Sequence, residues 1–195
     1  MTVNLENEFE NIRLARILKI HGNYDQSLSY YMDILEDLDN TCHSYPYLLF
    51  EYAVCLLESA MDACGESYVE VFAKKAKKIS SGDEDLEHAW NCMENARVCF
   101  EELQDKKYLI QAHKYIGDIL VFNNDFGKAE EEYQKAYDLC DSDEYTQVIL
   151  EDMCDCYALK GELGKARECV ENILKIIGEE SKEVEFYKKR LEELE

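Results

Sequence analysis

Between Asp85 and Leu103 the larger apolar residues fall at Leu86, Ala89, Trp90, Met93, Ala96, Phe100 and Leu103. Steps of three and four bring such positions to one face, so the stretch predicts an amphipathic helix. Upstream, Ser81-Gly82-Asp83-Glu84 offers a capping box, a serine oxygen for free N–H groups with a glutamate three residues on. The helix has the look of half a helical hairpin, yet nothing directly before it has the look of the other half.

The same periodicity elsewhere comes in pairs. In 110–141, Gly117 and Leu120 on one predicted helix are followed by Ala129, Tyr133 and Ala136 on a second, with Asn123-Asn124-Asp125 as the turn. Small residues at Gly117 and Ala129 let two antiparallel helices approach closely. Ala15, Leu18, Ser27, Tyr31 and Ile34 keep these offsets around His21-Gly22-Asn23. Cys154, Tyr157, Ala166, Val170 and Ile173 keep them around Lys160-Gly161-Glu162. The spacing resembles the tetratricopeptide repeat (TPR), a 34-residue helix–turn–helix unit. Three copies cover about 8–41, 110–143 and 147–180.

The second copy is split. Pro46 suits the first position of a helix, where its missing N–H costs nothing. Tyr47, Leu49, Phe50, Ala53, Leu56, Leu57 and Ala60 follow, over 46–64. The partner of Ala53 belongs 12 residues later, but that position is Gly65, within Cys64-Gly65-Glu66-Ser67. The matching pattern is Ala89, Met93, Ala96, which lies 36 residues after Ala53 and so implies 24 extra residues. The orphan helix, about 85–104, therefore pairs with 46–64 across an insert at about 65–84. In this arrangement Trp90 is expected to pack between repeats. Within the insert, Tyr68–Ala73 predicts a short helix. Lys74-Lys75-Ala76-Lys77-Lys78 reads as a solvated helix end, a nuclear import signal or a basic patch. Ser181 caps a last helix, about 181–194, with Val184, Tyr187, Leu191 and Leu194 on one face, as a capping helix of a solenoid requires. The expected fold is all-α: one TPR superhelix of four helix pairs with an interrupted second repeat and a C-terminal capping helix.

Composition agrees and adds charge. One proline and eight glycines in 195 residues, without strand-like alternation, favour an all-helical chain. The formal charge is −22, from 43 acidic and 21 basic side chains. Such a surface repels nucleic acid and anionic membranes and attracts basic partners, or serves solubility alone. The first residues carry no signal-peptide pattern, and no stretch nears the ~18 apolar residues of a membrane span. Without secretion, the nine cysteines are expected to be reduced, acting mostly as small hydrophobes. Cys154 and Cys156 are two apart, the wrong spacing for a zinc knuckle. His21, His43, His88 and His113 sit in no recognisable metal or triad motif, and no phosphate-binding glycine loop is present. Neither a cofactor, a metal nor catalysis is expected.

Four helix pairs with the second interrupted resemble the NASP-type (SHNi-TPR, interrupted tetratricopeptide repeat) histone chaperones. The likeness is carried by Pro46 to Ala60, by Asp85-Leu86-x-x-Ala89-Trp90 with Ala96 and Phe100, and by Gln111-Ala112-His113 before Ile116-Gly117. It covers nearly the whole chain. The family's interruption is usually a long acidic tract, whereas here it is short, with a basic middle and only Gly82-Asp83-Glu84-Asp85 as an acidic end. The resemblance implies binding of histone H3, alone or as H3–H4, in histone transport, storage or nucleosome assembly. It implies a nuclear protein, shuttling with the cytoplasm, as monomer or homodimer, that meets other histone chaperones.

In a TPR array the first helix of each pair lines the concave face. Positions around Gly117 and its counterparts then turn toward the groove. The first repeat supplies Arg13, Arg16 and Lys19. The second supplies Tyr47, Phe50, Glu51, Val54, Leu57 and Glu58, and the third Gln111, Lys114, Tyr115, Asp118, Val121 and Phe122. The fourth supplies Val148, Glu151, Asp152, Asp155, Ala158 and Leu159. An amphipathic helix with apolar anchors and flanking cations fits aromatic walls and acidic rims. The expected binding residues are Tyr47, Phe50, Glu51, Val54, Glu58, Tyr115, Asp118, Phe122, Glu151, Asp152 and Asp155. By resemblance, Asp118 holds the place of an acidic groove residue in the family. The alternatives are solvated carboxylates beside packing aromatics, a generic peptide-binding adaptor of the Hsp90 co-chaperone kind, and a scaffold subunit of a larger complex.

Overall fold

A computed structural model describes residues 3–63 and 83–194. The helix expected at 68–73, the lysine cluster at 74–78 and the Ser81 cap lie outside the described residues. Among the described residues ten helices follow in order: α1 (Leu5–Glu8), α2 (Ile12–Ile20), α3 (Tyr24–Asp37), α4 (Tyr45–Ala63), α5 (Asp83–Leu103), α6 (Lys106–Phe122), α7 (Phe126–Leu139), α8 (Asp143–Lys160), α9 (Leu163–Ile177) and α10 (Val184–Glu193). They pack as the pairs α2/α3, α4/α5, α6/α7 and α8/α9, with α10 against α9. The array is an all-α TPR superhelix. The orphan helix α5 lies against α4, as the spacing requires.

The turn chemistry repeats with the fold. Gly22, Asn124 and Gly161 stand at the middle of three intra-repeat turns, with φ of 71°, 61° and 78°. Glycine and asparagine are the residues that adopt this left-handed region most readily. In each turn the next residue's N–H closes a bond back to the preceding helix: Asn23 to the Leu18 carbonyl at 2.9 Å, Asp125 to Leu120 at 2.8 Å and Glu162 to Tyr157 at 2.9 Å. Such bonds satisfy carbonyls that the helix end leaves open. Gln104, with φ 55°, makes the same turn between repeats two and three, where Asp105 N–H reaches Phe100 O at 2.9 Å. Asp105, Asp125 and Ser142 then accept backbone N–H bonds as N-caps of α6, α7 and α8.

Helix pairs close on their small residues. Ala15, Ala53 and Cys154 are fully buried, and so are their partners Ser27, Ala89 and Ala166. Ser27 Oγ donates to the Ala15 carbonyl at 2.8 Å, so the one polar member of this set is satisfied inside the contact. In the third pair the backbone of Gly117 faces the ring of Tyr133. Helix α4 is buried on nearly every side, from Pro46 to Met61, because α3, α5 and α6 all pack on it. Two cores result, one from Leu5 to Phe122 and one from Ile110 to Leu194. Helix α6 contributes to both.

Three details differ from the sequence reading. The first repeat, expected from about residue 8, opens its helix only at Ile12, and a short α1 precedes it, ended by the extended backbone of Phe9. Ser181 Oγ accepts the Glu183 N–H at 3.2 Å, but it stands three residues before α10 begins, and Glu183 holds the N-cap position. Trp90 does lie at the junction of repeats two and three, but 38% of it is exposed, whereas Ala89, Met93, Ala96 and Phe100 are fully buried.

A Cβ on Gly117 falls 2.5 Å from a ring carbon of Tyr133, which is itself fully buried. Gly117→Ala is therefore expected to destabilise the protein by about 1–3 kcal/mol in denaturant unfolding, the cost of overpacking a closed core. Gly127 in α7 has nothing within 4 Å of its ideal Cβ. Gly127→Ala in the same measurement is expected to stabilise by about 0.5 kcal/mol, through the unfolded chain.

Candidate functional site

The concave face is built from α2, α4, α6 and α8. At its N-terminal end the Arg16 guanidinium grips Glu51 with two bonds, Nε to Oε2 at 2.9 Å and Nη2 to Oε1 at 2.6 Å. Its Nη1 reaches Glu6 at 2.8 Å. The buried Tyr31 sends its hydroxyl to Glu51 Oε2 at 3.1 Å. One turn along, Lys19 Nζ pairs with Glu58 at 2.8 Å. Between these pairs and the side chains of Phe50, Val54 and Tyr115 lies a cleft of 340 Å3.

The middle of the face is a buried cluster. Lys114 Nζ donates to Asp118 Oδ2 at 2.7 Å, one turn away on α6, and stands 3.5 Å from Asp152 Oδ2 on α8. It also lies 4.8 Å from the centre of the Tyr115 ring. Tyr133 donates to Asp118 Oδ1 at 2.8 Å, so both Asp118 oxygens are engaged. Burial acts to lower the Lys114 pKa, but Asp118 and Asp152 outweigh it, and the net shift is upward. Asp152 is pushed up to about 7, chiefly by burial; the charge of Asp118 adds to this and Lys114 opposes it. Its Oδ2 is buried, with Lys114 Nζ 3.5 Å away, at the long limit of a hydrogen bond. Such an oxygen is better held in a neutral carboxyl than in a carboxylate.

At the C-terminal end the capping helix enters the site. Tyr187 donates to Glu151, which also accepts from Gln147 at 3.3 Å. Arg190 pairs with Asp155. In this way α10 is tied to α8 through the residues expected to meet a partner.

The expected residues thus separate into three groups. Phe50, Glu51, Val54 and Tyr115 meet around one cleft, although Phe50 and Val54 are buried core residues that show only an edge to it. Glu58, Glu151, Asp152 and Asp155 lie on the same side but further along, each engaged by Lys19, Tyr187, Lys114 or Arg190. Tyr47, Asp118 and Phe122 are buried. Tyr47 packs edge-on to Phe100 and Tyr108, with ring centres at 5.1 Å and 4.8 Å, and bonds Asp105 at 2.8 Å. Leu57 and Val121, read as facing the groove, are core residues. The sequence reading did not place Tyr31, Tyr187 and Arg190 at this face. A signal for Tyr31 existed: it holds the place of Tyr133, and both hydroxyls end on a groove carboxylate.

Among the described residues no group of three or more His, Cys, Asp or Glu is placed to hold a metal ion. No helix of these residues is long and apolar enough to cross a membrane. The eight described cysteines are free thiols.

No family model matches the sequence, and no curated protein matches it. Among solved structures the chain is similar to a thermophilic TPR protein of Thermus thermophilus. The two share 18% identity over 95% of this chain and 97% of that one, with a TM-score of 0.48. It is also similar to a Podosopora anserina chain with nearly identical TPR-like repeats, described as a kinesin light chain. That match has 13% identity over 86% of this chain and 93% of the other, again with a TM-score of 0.48.

The raised Asp152 pKa has a thermodynamic sign. The folded chain keeps a proton that the unfolded chain, with its ordinary value of about 3.9, has released. The contribution is complete below that ordinary value and is lost as pH rises through about 7. In urea unfolding at pH 5 and pH 7.5, the wild type is expected to lose about 2 kcal/mol relative to Asp152→Asn, whose side chain does not titrate. Parallel profiles for the two proteins mean that Asp152 is ionised in the folded state throughout.

Proposed function

We propose that this chain is a carrier of basic proteins, and that its cargo is histone H3, taken alone or as H3–H4. The observation that carries the reading is the concave cleft, where Phe50, Val54 and Tyr115 flank a carboxylate, Glu51, held in one orientation. An apolar anchor of a cargo helix seats on the aromatic edges. A cargo arginine then competes with Arg16 for Glu51, whose oxygens offer more lone pairs than the guanidinium uses. The formal charge of −22 draws a basic cargo in from a distance. The interrupted second repeat and its Asp85-Leu86-x-x-Ala89-Trp90 element support the histone-chaperone likeness. With it come a nuclear location with shuttling to the cytoplasm, hand-over to other histone chaperones, and action as monomer or homodimer.

A clamp for a peptide's terminal carboxylate has less support. Of the cations such a clamp would use, Arg13, Arg16 and Lys114, two are engaged, Arg16 by Glu6 and Glu51 and Lys114 by Asp118 and Asp152. An incoming carboxylate has to displace these partners against the protein's own negative field. A scaffold role is favoured by one feature, the open end of the array, where Leu14, Ile17 and Ile20 of α2 are 41%, 42% and 77% exposed.

The test is a competition between recombinant H3–H4 and lysozyme, an equally basic protein, for the immobilised chain across a salt series. The histone complex is expected to survive moderate salt that strips lysozyme. Glu51→Gln with Glu58→Gln is expected to weaken it about tenfold, at roughly 1 kcal/mol or less for each partly exposed charge. Equal retention of lysozyme and histones would falsify the histone reading and leave a generic acidic surface. Asp118 is unsuited to this test, because it is buried and bonded to Tyr133.

A further inference from the structure

The convex side carries a second groove, which shares no residue with the concave cleft. It has a volume of 520 Å3 and runs between the second helices of repeats two and three. Its floor is Ile116 and Leu120 of α6. One wall is a single face of α5, where Glu87, Trp90 and Glu94 follow at steps of three and four. The other wall is formed by Asp125, Glu131 and Glu132, at the turn into α7 and on its first turns.

Two properties set this groove apart from packing. The indole of Trp90 is left 38% exposed, whereas Phe100 on the same helix is fully buried. Around it stand five carboxylates and one cation, Lys128. Lys128 is held by Asp125 at 2.7 Å. Glu94 is held by Arg97 at 2.9 Å, and Glu132 by His113 at 2.7 Å and Lys135 at 2.6 Å. Glu87 and Glu131, on opposite walls, form no ion pair among the described residues. The groove therefore presents an indole face between two carboxylates that stand outside these pairs, over an apolar floor.

We propose that this groove docks an arginine-rich segment of a protein partner, with one guanidinium stacked on Trp90 and bonded to Glu87 or Glu131. Arginine suits the site better than lysine. Its planar guanidinium stacks on the indole while its edge N–H groups stay free for a carboxylate, and its weaker hydration lowers the cost of leaving water. The methylene stem lies on Ile116 and Leu120. The groove is distinct from the concave site of the histone reading and takes its own evidence.

Trp90 is the only tryptophan in the chain, so tryptophan emission reports this groove alone. A hepta-arginine peptide titrated into the full chain is expected to change that emission saturably, and hepta-lysine is expected to bind several-fold more weakly. Glu87→Gln with Glu131→Gln is expected to raise the hepta-arginine Kd about five- to tenfold, the loss of two partly exposed charge partners. Glu51→Gln, on the opposite face, keeps the emission change. Trp90→Phe, followed by calorimetry, is expected to weaken binding a few-fold through the poorer cation–π face. Unchanged emission, equal affinity for the lysine peptide, or equal affinity of the Glu87/Glu131 variant overturns the proposal. The concave-face reading stands or falls separately on the histone competition.

Discussion

No side chain larger than a few atoms fits where the two helices of a pair touch. Ala15 and Ser27, Ala53 and Ala89, Gly117 and Ala129, and Cys154 and Ala166 occupy those contacts and are sealed from solvent. This constraint sets the distance between helices, and the distance decides what can happen four residues further along. There a tyrosine, Tyr31 or Tyr133, crosses the pair with its ring buried and its hydroxyl reaching the concave side. Each hydroxyl ends on a groove carboxylate, Glu51 or Asp118. Close packing thus fixes the polar order of the binding face. Enlarging Gly117 acts on both, because the atoms it displaces belong to the ring that holds Asp118.

That polar order is a ladder between neighbouring first helices, continued by α10. Arg16–Glu51, Lys19–Glu58, Tyr187–Glu151 and Arg190–Asp155 join residues 35, 39, 36 and 35 apart, close to one repeat length. Partly exposed pairs of this kind add little stability singly. Their effect is on geometry: each carboxylate is held in one rotamer, so a partner meets a preset pattern and not a fringe of mobile chains. Two faces follow with different chemistry, a concave one of closed pairs and aromatics, and a convex groove where Glu87 and Glu131 stand beside Trp90.

Most of the fold was legible because its rule is one of spacing. Twelve residues between small positions, with glycine or asparagine at the left-handed turn, locate three pairs directly and the fourth by its absence. The helix faces were read less well. Ala89 and Trp90 are adjacent, about 100° apart on the helix, so both fall within one broad apolar stripe on paper. Only the packing shows that the stripe centres on Ala89, Met93, Ala96 and Phe100 and leaves Trp90 at its margin. The spacing assigns the expected groove carboxylates to first helices, but it carries no sign of their pairing. A periodic pattern assigns a residue to a face, whereas an ion pair depends on how far one repeat turns against the next.

The interruption of the second repeat follows from the same economy of contacts. Helices α4 and α5 meet through Ala53, Ala89, Met93 and Ala96, all well inside their ends at Ala63 and Asp83. Lengthening a turn-sized loop by 24 residues costs on the order of 2 kcal/mol in chain entropy. Burying α4 on nearly every side outweighs that by far at roughly 1.5–3 kcal/mol for each large apolar side chain. The second repeat, with the most buried helix, is therefore the one best able to carry an insertion. Trp90 stands two turns into α5, at the margin of that packing. The spacing rule that holds the array together thus leaves the one indole of the chain outside its closest contacts, free to serve a partner.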